Sequence, residues 1–260
     1  MKRTLFVALV LAFTAVAGTA LAGLGWSQDF KKDASGWLDT SSDWYGSIVA
    51  IGGHGVVNGD EDSGPFSRFG GYEDTWPGDY VAEIDVYLDP SWATGTGFDY
   101  SVAANHTNGN HLRDFIFHVA KDTSTGKLLV AGSNNTNFAV REDLETLNHA
   151  EVTEAGWYTL RHTFRNDDGA LAVDLSLVGR NGEELFTETR TNPSDTIGDV
   201  VGGNRYAWFT FVTVDDLLVD NHELRLFAQP SSKDDCQQGG WEAFGFANQG
   251  RCVASIATAK

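Results

Sequence analysis

Several polar and aromatic side chains of this sequence have the chemistry to recognise a ligand rich in hydroxyl groups. Carboxylates and a guanidinium can form paired hydrogen bonds with neighbouring hydroxyls, and Trp and Tyr rings stack on the apolar faces of sugars. These side chains alternate with apolar residues, so we expect the non-core faces of adjacent strands to gather them in one groove. The candidate ligand-binding residues on strands are Glu83, Asp85, Tyr87, Asp114, His118, Arg161, Tyr206 and Trp208.

Some candidate side chains have a structural interpretation as well. Tyr206 and Trp208 lie in NRYAWFTFVTV, which is apolar on both faces, so both rings could equally belong to the core. A single histidine such as His118 is more typical of a polar surface. Two further candidates, Trp44 and Trp76, lie in loops framed by Asp and Gly, where a ring is either a binding platform or a plug over a β-core. The sequence leaves both alternatives open.

The carboxylates of Glu83 and Asp85 also suggest hydrolysis. EIDVYL resembles the Glu-x-Asp-x-x-Glu strand of jelly-roll endoglucanases, which implies Glu83 as the nucleophile. Leu88 stands at the acid/base position, however, and cannot donate a proton to a leaving group. A polysaccharide lyase would need a base and a neutralising group, which His118 and Arg161 supply by type, but acids in the groove argue against an anionic substrate. Enzymatic activity is uncertain, and binding without catalysis is favoured.

Alternation with period two dominates the chain. In YVAEIDVYL (80–88) every second residue from Tyr80 is apolar, and Gly, Asn and Asp interrupt such segments about every ten residues. The turn Asn166-Asp167-Asp168-Gly169 joins two of them as a predicted hairpin. Only 141–152 has helix-like spacing. The pattern predicts an all-β protein that folds as a two-sheet antiparallel jelly-roll sandwich.

Both ends of this predicted sandwich resemble a known group of proteins. DFKKDASGWL (29–38) resembles the opening strand of secreted carbohydrate-binding modules, and LLVDNHELRL (217–226) resembles their closing strand. The resemblance implies a concanavalin A-like jelly roll that binds glycans and holds one structural calcium ion. Asp220, with Asp29 from the first strand, would be its ligands, because Ca²⁺ prefers hard oxygen atoms. Alternatively, Asp220 and Asn221 form only a side-chain-to-backbone turn.

The N-terminal residues have the pattern of a secretory signal peptide. Lys2 and Arg3 precede an apolar segment that ends in Ala20-Leu21-Ala22, so we expect export and cleavage after Ala22. Because cleavage removes Lys2 and Arg3 and no acid, the formal charge changes from −18 to −20. This balance argues against nucleic acid or an anionic membrane surface as a partner. No later segment is long and apolar enough for membrane insertion.

The only two cysteines, Cys236 and Cys252, lie in the C-terminal segment. In an exported protein they can close a loop of about 15 residues, which would stabilise the segment by about 3 kcal/mol. The segment resembles a Cys-x-x-Gly-Gly-Trp…Phe-x-Asn-Gln-Gly-x-Cys-Val ending of secreted bacterial proteins. That ending implies either a terminal cap or a portable attachment or sorting element. We favour the portable element, because the polar stretch 228–235 separates it from the sandwich.

The sequence thus predicts a signal peptide (1–22), a β-sandwich domain (23–228) and a linker with a disulfide-closed tail (229–260). The leading hypothesis is a secreted, extracellular, non-catalytic protein that recognises a polysaccharide or cell-surface glycan. The alternatives are a structural or adhesive cell-envelope protein and a polysaccharide lyase or glycoside hydrolase. Whether the candidate residues converge in one open groove separates these hypotheses.

Overall fold

The computed structural model of the chain describes residues 21–38, 46–59, 64–134, 143–227, 230, 232–244 and 248–258. Its contacts divide into two units. One is Leu21–Phe227, called here the sandwich, and the other contains Ala228–Lys260, called here the tail. Nearly all of the predicted signal peptide lies outside the described residues, and its cleavage stays a prediction. In these ranges no helix has the length and apolar character needed to cross a membrane.

The sandwich consists of strands and one 3-10 turn in the part of the chain that the structure describes. In chain order the strands are β1 (Leu21–Gln28), β2 (Trp37–Leu38), β3 (Ser47–Ile51), β4 (His54–Asn58), β5 (Phe66–Ser67), β6 (Tyr80–Leu88), β7 (Gly97–His106), β8 (His111–Lys121), β9 (Leu128–Ser133), β10 (His149–Val152), β11 (Gly156–Asp167), β12 (Ala170–Val178), β13 (Glu184–Thr196), β14 (Val201–Thr210) and β15 (Leu217–Phe227). The 3-10 turn is Leu144–Thr146, so the helix-like spacing of 141–152 yields one turn followed by a strand.

The strands form two antiparallel sheets. Sheet A has the order β13-β12-β11-β6-β15-β4-β3, and β1 also pairs with β15. Sheet B has the order β10-β9-β8-β7-β14-β5-β2. The predicted all-β, two-sheet antiparallel sandwich is confirmed.

The inner faces of the two sheets enclose an apolar core. Tyr80, Ile84 and Leu88 of β6 are fully buried, as the alternation predicts. The Tyr80 ring stacks on Phe164 of β11, with centroids 4.5 Å apart. Phe115 of sheet B meets Phe164 edge-on at 5.4 Å. Because these rings fill the inner faces of β6, β8 and β11, a ligand site on these three strands has to use an outer face.

The hairpin predicted at residues 166–169 joins β11 to β12. Asp167 pairs with Ala170, so Asp168 and Gly169 form a two-residue loop. Their φ angles are 53° and 91°. Positive φ at both positions is what a type I′ turn requires, and Gly and Asp adopt it more readily than other residues.

A bulge interrupts β15. Asp220 pairs with Asp85 of β6, whereas Glu223 pairs with Glu83, so β15 has one residue more than β6 between these two pairs. Asn221, with a φ of 45°, takes up the extra length. The bulge therefore shifts the side-chain alternation of β15 by one position.

This shift directs His222 into the core, where it is fully buried with Nε2 3.1 Å from the Tyr100 hydroxyl. His162 of β11 is fully buried as well, with Nε2 3.0 Å from the Phe115 carbonyl oxygen. Burial lowers the pKa of His162 to about 3 and the pKa of His222 well below its usual value. Both rings are therefore neutral in the folded protein.

The tail is closed by the predicted disulfide. Its helices are α1 (Gly240–Ala243) and α2 (Gln249–Thr258). Cys236 and Cys252 are bonded and fully buried. Gly239 has a φ of 87°, and a Cβ at Gly240 would overlap the Asp235 carbonyl oxygen. The backbone thus requires both glycines of the Gly-Gly-Trp motif.

Candidate functional site

The candidate ligand-binding residues divide between two surfaces. The outer face of sheet A carries Glu83, Asp85, Tyr87 and Arg161. The outer face of sheet B carries Asp114, His118, Tyr206 and Trp208. The expectation of a single groove is therefore wrong, because alternation fixes the side of a strand and leaves open the sheet to which the strand belongs.

Glu83 lies at the centre of an ion-pair network on sheet A. Arg161 donates to its Oε1 and Arg225 donates to its Oε2. The Glu83 side chain is only 8% exposed, and Arg225 also pairs with Glu223 at 2.7 Å. A carboxylate with both oxygens engaged by guanidinium groups is not free to attack a sugar or to donate a proton. Leu88, at the other position of the endoglucanase-like strand, is buried in the core.

Asp85 and Tyr87 also find their partners within sheet A. The Thr159 hydroxyl donates to Asp85 Oδ1 at 2.5 Å, and Asn221 Nδ2 donates to Asp85 Oδ2 at 2.9 Å. The Tyr87 ring meets Trp157 edge-on with centroids 5.7 Å apart. The outer face of sheet A therefore uses these side chains to satisfy one another.

His118 belongs to a buried polar network on sheet B. Its Nδ1 lies 2.8 Å from Asp99 Oδ1 and its Nε2 lies 2.8 Å from Ser133 Oγ. All three side chains are buried. Since both ring nitrogens are engaged, His118 ties β7, β8 and β9 together and presents no free group to a ligand.

Tyr206 and Trp208 lie side by side on the outer face of β14, so their interpretation as core residues is wrong. Both are half-buried, and their rings meet edge-on at 6.1 Å. Trp208 Nε1 donates to the Gly64 carbonyl oxygen at 3.0 Å, which fixes the indole. The ring of His111, from β8, is tilted only 7° from Tyr206, with centroids 5.9 Å apart.

Asp114 provides a carboxylate beside these rings. It is 6% exposed, and its Oδ2 lies 2.9 Å from His111 Nε2. Burial, and then the charge of Asp114, raise the pKa of Tyr206 well above its usual value, so the phenol stays protonated and can donate. Ala103 of β7 pairs with Asp114. Ala103 is fully buried, so the side chains of β8 and β14 meet above β7.

Tyr72 and Arg205 extend the site beyond the strands. The guanidinium carbon of Arg205 lies 4.6 Å from the Tyr72 ring centroid, and Nη1 donates to Asn105 Oδ1 at 2.8 Å. Asn105 is fully buried and its Nδ2 donates to Asp74 Oδ1 at 2.5 Å. Tyr72 is 36% exposed. We call the following residues the aromatic platform: Tyr72, His111, Tyr206 and Trp208.

Two glycines allow the loop that carries Tyr72 to lie on β14. The Gly203 amide donates to the Glu73 carbonyl oxygen at 2.8 Å. A Cβ at Gly202 or Gly203 would overlap residues 73–75 of this loop. The sequence Gly-Gly-Asn before Arg205 is therefore a requirement of close backbone approach.

The predicted calcium ligands lie in separate contacts. Asp29 pairs with Lys31 at 3.4 Å, and Asp220 Oδ2 lies 3.2 Å from His54 Nδ1. The Asn221 amide donates to Asp220 Oδ1 at 2.8 Å, which is the side-chain-to-backbone alternative. Among the residues described, no group of three His, Cys, Asp or Glu side chains could hold a metal ion. A structural calcium ion stays a prediction that rests on the resemblance.

Of the two loop tryptophans considered as binding platforms, only Trp76 lies among the described residues. Trp76 packs against the core and lies 5.5 Å from the Tyr80 ring, which favours the plug over the binding platform. Trp44 lies outside the described residues.

Sequence reasoning missed the roles of His111 and Arg205. His111 follows a stretch rich in Asn, which is typical of a polar turn. Arg205 precedes Tyr206 directly, and strict alternation would place their side chains on opposite faces. A register shift between Asn204 and Ala207 breaks this alternation. The Gly-Gly pair before Asn204 is the signal that could have indicated an irregular strand here.

The chain matches no protein-family model and no curated protein sequence. Its fold is similar to the CBM2 module of the Lactobacillus casei BL23 phage J-1 evolved Dit, with a TM-score of 0.49 and 11% identity over 78% of this chain and 95% of that chain. The carbohydrate recognition domain of Emp46p in its metal-free form gives 0.48 and 12% over 77% and 95%. A Lotus tetragonolobus seed lectin gives 0.47 and 8% over 79% and 99%. Similarity at this level assigns neither a family nor a ligand, so the side chains have to carry the functional argument.

Proposed function

We propose that the protein is an exported, non-catalytic protein that binds a polysaccharide or cell-surface glycan at the aromatic platform of sheet B. One observation carries this proposal. The exposed His111 ring and the half-buried Tyr206 ring are nearly parallel, beside the carboxylate of Asp114. A ring surface next to polar side chains is complementary to a sugar, which has an apolar C–H face and hydroxyl groups at its edge.

The neighbouring groups extend this complementarity. A sugar stacked on Tyr206 or Trp208 would lie beside the Tyr206 phenol and the Arg205 guanidinium, both of which can donate hydrogen bonds to its hydroxyl oxygens. Burial and the Asp114 carboxylate hold the phenol in its protonated form next to the ligand.

The same geometry argues against catalysis. Glu83 is engaged by Arg161 and Arg225 on the other sheet. Tyr206 has a raised pKa and is a poor base at neutral pH. The chemistry that remains on the platform is that of recognition.

The test is binding to a polysaccharide array with analysis of the products, followed by calorimetry with Tyr206→Ala. Loss of the stacking ring should weaken binding about tenfold, or about 1.4 kcal/mol. Tyr87→Ala is the matched control, because it removes the same ring from the outer face of sheet A and should leave affinity unchanged.

Three results would contradict the proposal. Equal affinity for Tyr206→Ala and wild type would remove the platform as the binding surface. Release of cleaved products would indicate an enzyme. Absence of binding to every polysaccharide would favour a structural or adhesive protein.

A further inference from the structure

Two arginines stack on the same ring at the edge of the aromatic platform. The guanidinium carbons of Arg68 and Arg205 lie 5.0 Å and 4.6 Å from the Tyr72 centroid. Arg68 also lies 5.6 Å from the Phe66 ring and is exposed. Cation–π contacts of this kind hold a guanidinium in place without neutralising its charge.

Neither of these arginines has a carboxylate partner among the residues that the structure describes. The described arginines that form an ion pair are Arg113, Arg161, Arg165, Arg190 and Arg225. Arg205 donates to the neutral oxygens of Asn105 and Gly109, and Arg180, in the turn after β12, forms no ion pair with a described carboxylate. In a chain with 36 acidic and 18 basic residues, two unneutralised guanidinium groups on one ring are unexpected.

Arg68 also borders a cleft of about 380 Å³, a size within the range of small-molecule sites. The side chains and backbone that line it include Trp26, Gln28, Ser35, Gly36, Arg68 and Gly70. With Ser27 and Leu38, which also line it, the cleft is thus bounded by one aromatic ring, one aliphatic side chain, three neutral polar side chains and one cation.

The indole ring of Trp26, which lines the cleft, packs against two other rings. Trp26 packs edge-on against Phe69 at 5.6 Å and against His222 at 4.8 Å. A Cβ at Gly36 would overlap the Trp26 ring, and Gly70 has a φ of 82°. Glycine at both positions therefore lets the backbone pack closely against the half-buried indole.

We infer that the cleft beside Trp26 is a second subsite, which binds a sugar unit that carries a carboxylate or sulfate group, with Arg68 as its anion ligand. This inference rests on the proposed glycan binding at the platform and names the class of glycan: an acidic polysaccharide that spans the platform and the cleft. The planar guanidinium of Arg68 suits the two oxygens of a carboxylate, and Trp26 offers a surface for the sugar ring.

None of the described residues that line the cleft is acidic, and the Asp33 carboxylate beside it already accepts from Ser35 at 2.6 Å. Glu83 and Asp85, which on sequence grounds argued against such a ligand, lie on the outer face of sheet A. The net negative charge of the chain acts at long range and is screened beyond about 8 Å at physiological salt. The contact with Arg68 is local and is screened far less.

The experiment compares polygalacturonate and alginate with the same polymers after chemical reduction of their carboxyl groups. Wild type should bind the acidic form of at least one polymer about fivefold more tightly than its reduced form, as expected for a partly exposed ion pair. Arg68→Gln should abolish this preference and leave the affinity for the reduced polymer unchanged. Arg68→Lys, which keeps the charge but not the planar fork, should retain part of it. Arg180→Gln is the matched control and should behave as wild type.

The binding results distinguish failure of the acidic subsite from failure of the proposed glycan binding. If Tyr206→Ala weakens binding but Arg68→Gln alters neither polymer form, glycan binding stands and the acidic subsite is wrong. If the reduced polymers bind as tightly as the acidic ones, the subsite is wrong as well. If neither form binds to wild type although another polysaccharide does, the subsite is wrong and glycan binding stands; if no polysaccharide binds, the proposed function is wrong as well.

Discussion

The outer faces of the two sheets contain similar residue types, but these residues have different partners. On sheet A, Glu83 and Asp85 accept hydrogen bonds from side chains of neighbouring strands, so the polar groups satisfy one another. On sheet B, Arg68 and Arg205 stack on Tyr72 and have no carboxylate partner among the described residues. The first face is complete by itself, whereas the second is complementary to something outside the chain.

The difference shows that residue type alone does not identify a binding surface. Arginine beside a carboxylate stabilises a sheet, and arginine on an aromatic ring remains available to a ligand. The unsatisfied hydrogen-bonding capacity of a group is therefore the better criterion for a site.

The outer faces of both sheets depend on the same folded core. The largest expected effect is therefore the loss of folding stability in acid. His162 and His222 take up protons in the unfolded chain below pH 6.5 but not in the folded chain, so stability falls as pH falls. Burial raises the pKa of Asp79 to about 6, so this carboxyl binds its proton more tightly in the folded state and opposes the loss between pH 6 and 3.8. We expect a net loss of roughly 4 kcal/mol between pH 7 and pH 4, measured by urea unfolding.

Variants of the same groups separate the contributions. Asp79→Asn should deepen the loss at acid pH, because it removes the opposing group. His162→Gln should make the profile shallower. A free energy of unfolding that stays constant from pH 7 to pH 4 would contradict this account of the buried histidines.

The contrast between the faces is sharpened by removing one carboxylate from each. Glu83→Gln should lower the free energy of unfolding by about 3 kcal/mol, since Arg161 and Arg225 lose a buried partner. Asp114→Asn should cost less than about 1 kcal/mol in stability but should weaken glycan binding. Urea unfolding and calorimetry on both variants measure this. Equal stability losses in the two variants would show that the faces do not differ in the way described.

The smallest effect is expected from the tail. Deletion of residues 231–260 should change the melting temperature of the sandwich by no more than about 2 °C, because the contacts divide between two units. Differential scanning calorimetry of the full and shortened chains gives the answer. A large drop would make the tail part of the fold of the sandwich, against its interpretation as a portable element.

The sequence predicted the fold better than the site. Alternation from Tyr80 to Leu88 identified the inner face of β6, and the Asp168-Gly169 turn identified a hairpin, because both are local properties. The position of Tyr206 beside His111 depends on β7 lying between β14 and β8, a long-range pairing that alternation does not encode. Tyr72 reaches the site through a loop that lies on Gly202 and Gly203, which strand periodicity does not reveal.

The bulge of β15 changes which positions of this strand face the core. Before Asn221 the odd-numbered residue Val219 points into the core, and after it the even-numbered residues His222 and Leu224 do. Regular pairing with Asn221 kept in the ladder would shift the residues after it by one position and turn the charged Glu223 toward the apolar interior. One residue in a left-handed conformation thus lets a single strand supply both the buried histidine of the core and the acidic row of sheet A.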